Sequence, residues 1–347
     1  MRARRLPRDF APHHENNGVT RCVVAGVRYT PGMAVGRREL LVGSAAALAL
    51  ARCTREEAAP LPPRQTRTVR EVESIVAAQS SVDGAGVKLR RALGGRALAN
   101  LDPFLLLDEI KSDDPNDYAA GFPEHPHRGF ETVTYMIDGA MEHKDSVGNH
   151  GHLGPGSAQW MTAGHGIVHS EMPKQERGLM WGFQLWVNLP KRDKLMRPRY
   201  QDIAPDRIAE VARDRAKVRV IAGTAFDRTG PVVGIDVEPV FADIALEKGG
   251  GVEEPLPKGH AAFLYVIDGA LRVGDGRREV RQGQIAVLTG SGSLVLSCDA
   301  ATGRALVLAG RPLGEPIARS GPFVMNTDDE LKQAWDDYKA GRLTTGV

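Results

Sequence analysis

Most of the chain carries the pattern of short strands broken by turns. Phe130 to Ile137 reads FETVTYMI, a run of β-branched and aromatic residues closed by the turn-forming pair Asp138-Gly139. Gln159 to Ala163 is a second short run of this kind, followed by the Gly164-His165-Gly166 turn. Thirty-nine glycines and 22 prolines, with few long amphipathic runs, point the same way. The exception is Asp328 to Ala340, where Leu331, Ala334, Trp335 and Tyr338 fall at 3/4 spacing and predict a short helix packed on the strands, with Trp335 as core.

The pattern repeats. Tyr135-Met136-Ile137-Asp138-Gly139-Ala140 recurs as Tyr265-Val266-Ile267-Asp268-Gly269-Ala270, and Gly156 to Thr162 is echoed by Gly283 to Thr289. A chain of 347 residues has room for about two domains. The expectation is therefore an all-β protein of two tandem barrels, spanning 86–230 and 231–347, with the helix at the C-terminus and a linker over 54–85.

Candidate chemistry sits in the first copy. Seven of the ten histidines lie between His125 and His169, within which two strings have ligand spacing: His125-Pro126-His127 and His169-Ser170-Glu171. Residues two apart on a strand share a face, so each string aims two donors at one point. Three neutral imidazoles and one carboxylate suit a divalent first-row transition metal, and an octahedral shell would keep about two positions for substrate or O₂. An isolated strand histidine is usually only a hydrogen-bonded residue; two i,i+2 pairs in one segment weigh against that. The second copy has only His260, too little to fix a metal against water, so the barrel over about 235–325 is expected to be structural.

These residues carry a resemblance. HPHRGFETVTYMIDG at 125–139, GPGSAQWMTAGHGIVHSEMP at 154–173, FQLWVNLP at 183–190 and GPFVMNTDDELKQAWDDYKAGR at 321–342 resemble the pirin family of the cupin superfamily. The resemblance covers nearly everything after residue 86. It implies two cupin jelly-roll barrels with His125, His127, His169 and Glu171 as metal ligands. The metal it implies is Fe(II) first, with Mn, Ni, Co, Cu or Zn as alternatives. Glu131 occupies the place of the ligand glutamate of a general cupin, and is assigned instead to the strand surface or to orienting a ligand imidazole.

Two function classes follow from the resemblance. One is a quercetinase-type dioxygenase that takes a flavonol and O₂ and releases carbon monoxide (2,3- or 2,4-cleavage), with Glu171 accepting the substrate's hydroxyl proton and Met161, Trp160, Trp181 and Phe183 as candidates for an apolar wall or, equally, for barrel core. The alternative is a non-catalytic metal or redox sensor acting through a protein partner. A monomer is expected.

The first sixty residues read differently. Gly36-Arg37-Arg38-Glu39-Leu40-Leu41 resembles a twin-arginine export motif, followed by an apolar run from Leu40 to Ala51 and Ala49-Leu50-Ala51 as a cleavage site. That run is too short to span a membrane. Met33 is placed to start such a leader, which makes 1–53 an extension plus signal. Arg52 before Cys53 argues against lipidation. Periplasmic export is the expectation, and a cytoplasmic location the alternative. Nine arginines and three acidic residues fall within 1–53, so the 45 basic and 43 acidic residues of the chain become 36 and 40 without it. A near-neutral remainder gives no footprint for nucleic acid. It would also keep only Cys298, which excludes an internal disulfide.

Overall fold

The computed structural model describes residues 67–345; the proposed export signal and its cleavage site lie outside them. Two jelly-roll barrels account for nearly all of the strands. In the first, a seven-stranded sheet runs in the order Arg199–Ile203, Ala158–Thr162, Phe130–Asp138, Met180–Asn188, Phe104–Ser112, Val87–Leu93 and Gln79–Asp83. It faces a four-stranded sheet of Phe122–His127, Ile167–Pro173, Met141–Asp145 and His150–Leu153. In the second barrel the large sheet is built around Ala261–Val273, Thr302–Gly310 and Val240–Glu247, and the smaller face is Gly251–Pro255, Ser293–Ser297 and Arg278–Arg281. All strand pairings within these sheets are antiparallel.

Two expected boundaries move. The span 54–85 is not all linker, because Val72–Ala77 and Gln79–Asp83 are strands. The first of these pairs with Gln284–Leu288 of the second barrel, and the second with Val87–Leu93 of the first. Arg70 fixes this entry: fully buried, it donates to the carbonyls of Pro257, His260, Thr289 and Gly292. Four acceptors for one guanidinium are what a buried arginine without a carboxylate requires. The boundary at 230 also moves, since Ala209–Arg213 and Ala216–Ala222 join the second barrel's sheet beside Val240–Glu247. Ala216, Val218 and Val220 alternate into that barrel's core.

The two large sheets pack face to face. Alternation along Phe130–Asp138 sends Val133 and Tyr135 outward to meet Phe241, Phe263 and Tyr265, and turns Thr132, Thr134 and Met136 into the first barrel. The repeated tyrosines cross this interface reciprocally: Tyr135 donates to Asp243 of the second barrel, and Tyr265 to Glu109 of the first, each at 2.7 Å. A buried phenol needs such a partner.

After Gly310 the chain returns to the first barrel. Ala318–Ser320 pairs with Phe323–Met325, and the helix Asp328–Lys339 begins at Thr327, whose hydroxyl accepts from the Glu330 amide in a capping box. Phe323, Met325, Leu331 and Ala334 pack with Val168 of the first barrel. Trp335 stacks edge-on against Phe323 and donates to Ser320, which makes it a packing residue. No described helix is long and apolar enough to cross a membrane.

Candidate metal centre

The two histidine strings lie on adjacent antiparallel strands, Phe122–His127 and Ile167–Pro173, in a register that pairs His169 with His125. This brings His125, His127 and His169 together, with one ring nitrogen of each within 4.8 Å of the others. The Nε2 atoms of His125 and His127 stand 3.0 Å apart. Their Nδ1 atoms face backbone carbonyls, His125 that of Pro123 at 2.8 Å and His127 that of Pro322 at 3.3 Å. Such carbonyls hold the proton on Nδ1 and leave Nε2 as the free lone pair.

The donors fit a transition metal. Two nitrogens ligating one ion from adjacent corners at about 2.1 Å stand roughly 3 Å apart, the spacing seen here. Both ring nitrogens of His169 are buried without a hydrogen-bond partner, an arrangement that is costly unless an ion accepts one of them. Burial, reinforced by the neighbouring imidazoles, pushes His127 and His169 well below the usual histidine range, so both are neutral and competent to bind.

Glu171 lines the same cavity but is not one of the three converging donors. A register shift against Phe122–His127 falls between His169 and Glu171, and on the other edge of its strand Glu171 pairs with His143 of Met141–Asp145. Its Oε2 accepts from Gln184 Nε2 at 2.9 Å, and its Oε1 lies 3.0 Å from the Thr134 hydroxyl, which is also 2.8 Å from Gln184 Oε1. One hydroxyl proton cannot serve both acceptors. With Glu171 ionised, Thr134 donates to it; with Glu171 protonated, Glu171 donates to Thr134 and Thr134 to Gln184. The ring of three side chains accommodates either state.

Glu131 is in neither place expected of it. It shares the outward face of its strand with Val133 and Tyr135, touches no ligand imidazole, and accepts from Thr162 at 2.6 Å while Oε2 has no partner. Burial pushes its carboxyl up to about 7. Of the two places open to Met161, Trp160, Trp181 and Phe183, the structure takes the core. Trp160 and Phe183 lie in the core between the barrels, Trp181 donates to Glu109 there, and Met161 packs with Ala163 and Ile167. Along Met180–Asn188 the residues of the other parity, Gln184 and Trp186, enter the cavity.

The cavity holds about 670 Å³ and opens to solvent. Leu89, Leu106, Ile110, Phe122 and Trp186 form its apolar wall, facing His125, His127, Glu171, Arg91 and Arg319. That volume is in the range of small-molecule sites. Several residues lining or backing the site were missed from sequence. His143, buried with both ring nitrogens unpartnered and 5.5 Å from the His169 ring, stands two residues before Asp145 in a run that alternates as a strand, a usable signal. Arg319 and Pro322 gave none, because they reach the site from the returning tail.

Comparisons with known proteins agree with this architecture. The Pirin family profile matches residues 86–187, and that of the Pirin C-terminal cupin domain matches 241–344. A Pseudomonas aeruginosa protein named "Putative quercetin 2,3-dioxygenase" is 48% identical over 281 residues, covering 79% of this chain and 98% of its own. A pirin-like protein of Caulobacter vibrioides is 49% identical over 277 residues, covering 79% and 99%. The crystal structure of a quercetin 2,3-dioxygenase from Acinetobacter baumannii superposes with a TM-score of 0.74 at 34% identity, covering 80% and 99%. The two barrels and three-histidine centre define a bicupin. Within that class, this chain belongs to the pirin family.

Proposed function

We propose that this chain is a metal-dependent dioxygenase acting on flavonols of the quercetin type. The observation that carries this is a carboxylate, Glu171, hydrogen-bonded to Thr134 and Gln184 and set in an open, partly apolar cavity beside three histidines whose ring nitrogens converge. Relatives and a solved structure bearing the quercetin 2,3-dioxygenase name support the reading.

His125, His127 and His169 would hold the metal, with Glu171 as the fourth ligand, and Fe(II) is the ion proposed. Once bound, the metal would supply charge stabilisation and orientation for the substrate's 3-hydroxyl and 4-carbonyl oxygens and for O₂. The protein's residues do the rest. Glu171 takes the 3-hydroxyl proton, and rotation of the Thr134 hydroxyl toward Gln184 Oε1 gives the protonated acid an acceptor. Gln184 Nε2 keeps the other carboxylate oxygen fixed during the transfer. Leu89, Leu106, Ile110 and Phe122 exclude water from the ring system.

The test is oxygen uptake by metal-replete protein over a panel of flavonols, with carbon monoxide as the second readout. Glu171→Gln keeps the side-chain shape and loses the anionic acceptor, so uptake should fall by at least about 10², with a smaller change in metal content. No turnover of any flavonol by metal-replete wild type would sink the assignment and leave the binding or sensing alternative.

A further inference from the structure

The cavity wall carries two arginines that the reading above does not use, Arg91 and Arg319, and Arg91 is already paired with Asp108 and Asp83. Arg319 lies on the wall of the site, carried there by the tail strand Ala318–Ser320. Its guanidinium carbon sits 4.5 Å from the centroid of the Trp186 ring, and Trp186 in turn is 5.3 Å from the ring of His127 and 4.3 Å from that of Phe130. The indole is thus fixed by packing, and the arginine is one ring system away from the metal ligands.

Arg319 also has no ion pair among the described residues. Its one hydrogen bond among the described residues is a long one, 3.4 Å, to the Leu105 carbonyl. The acids on its side of the cavity are already taken: Asp108 receives Arg91 through both oxygens, at 2.9 and 2.7 Å, and Asp83 receives Arg91 at 2.8 Å. The remaining acids of the lining are Glu171, held by Thr134 and Gln184, and Glu124, exposed at the rim. Arg319 therefore presents a planar fork of N–H donors to the cavity with no carboxylate in ion-pair contact. Such a fork favours carboxylate or phenolate oxygens through charge-assisted pairs.

We infer that Arg319 is a specificity-determining residue that selects planar aromatic substrates bearing an anionic oxygen group, carboxylate or phenolate, at the end remote from the metal-binding oxygens. This rests on the reading of the cavity as an aromatic substrate site, and it narrows the substrate class. Trp186 sets the span: a molecule lying along it places one end at the histidines and the other at the guanidinium.

Binding, not turnover, tests this. Metal-loaded full-length wild type, Arg319→Met and Arg319→Lys are titrated by calorimetry with two matched pairs, 3-hydroxyflavone with its 4′-carboxylate and 2-naphthol with 2-naphthoate. Wild type should bind each acid at least about tenfold tighter than its neutral partner, with the excess shrinking as salt rises. Arg319→Met should lose that preference while its affinity for the neutral members stays within about twofold, and Arg319→Lys should retain part of it. Equal affinity for acid and neutral compound in wild type, or an undiminished preference in Arg319→Met, overturns the inference. If neither flavone binds but 2-naphthoate does so in an Arg319-dependent way, the inference stands and the flavonol assignment fails. If none of the four compounds binds metal-replete wild type, both fail.

Discussion

Across one strand pair of the first barrel Glu171 faces His143, while across the corresponding pair of the second Leu296 faces Val273. The same contrast runs through both interiors. The second barrel is filled by a continuous cluster that includes Val252, Leu256, Leu264, Val266, Val273, Leu294 and Leu296. The first turns three histidines, Glu171, Thr134 and Gln184 inward around an open cavity. Filling a jelly roll with aliphatic side chains gives dense packing and dispersion contacts. Lining one with polar ligands forgoes those contacts, and the lining groups must be paired with one another or with an ion. The second barrel therefore serves as the packed support. Its large sheet covers the back of the site, and the tail leaving it delivers the Pro322 carbonyl to His127 and Arg319 to the cavity wall.

This contrast can be broken by mutation, and the largest effect is expected in the filled barrel. Leu296→Ala should lower stability by about 2–5 kcal/mol through cavity formation, measured by denaturant unfolding, and should leave metal content unchanged. A loss of metal equal to that of a ligand variant would mean that the two interiors are not independent.

The seam between the barrels is expected to show a pH dependence from Glu131. Its carboxyl is near 7 in the folded chain against 4.5 in its ordinary setting, so between those values the native state binds more protons than the unfolded one. Stability from this group is then complete below about 4.5 and is lost as pH rises through about 7, a total on the order of 3 kcal/mol. Glu131→Gln should flatten that slope and raise stability at pH 8, while metal content holds. An unchanged slope in the variant would assign the pH dependence elsewhere.

The two reciprocal tyrosines offer a finer comparison. Removing the Tyr265 hydroxyl leaves buried Glu109 with Trp181 at 3.0 Å and Arg90 only at 3.6 Å. Removing that of Tyr135 leaves Asp243 with two short bonds from Arg304. Tyr265→Phe should cost roughly 1.5–3 kcal/mol, and Tyr135→Phe about 1. The reverse order would contradict this account of how the seam is satisfied.

Sequence spacing made the three histidines legible because their geometry is local: two residues on a strand, and two such strands side by side. The repeated YMIDGA and YVIDGA strings likewise revealed the two barrels. What stayed hidden depended on parity and on long-range return of the chain. Trp186 and Phe183 are equally good wall residues as letters, and only the face each occupies separates them. Glu131 stands where a ligand belongs by position, yet its strand turns it toward the second barrel. Ala209–Ala222 reads as a continuation of the first domain until its pairing with Val240–Glu247 is seen. Arg319 and Pro322 are distant in sequence from the cavity they complete.

The three converging histidines of the first barrel, with no such group among the described residues of the second, set the expectation of one metal per chain. Its most direct measurement is metal content by mass spectrometry of purified wild type, His127→Ala and His169→Ala, alongside a circular dichroism check that each is folded. One equivalent per chain in wild type, and loss from both folded variants, is the expected result. Two equivalents in wild type, or stoichiometric metal retained in both variants, would contradict it.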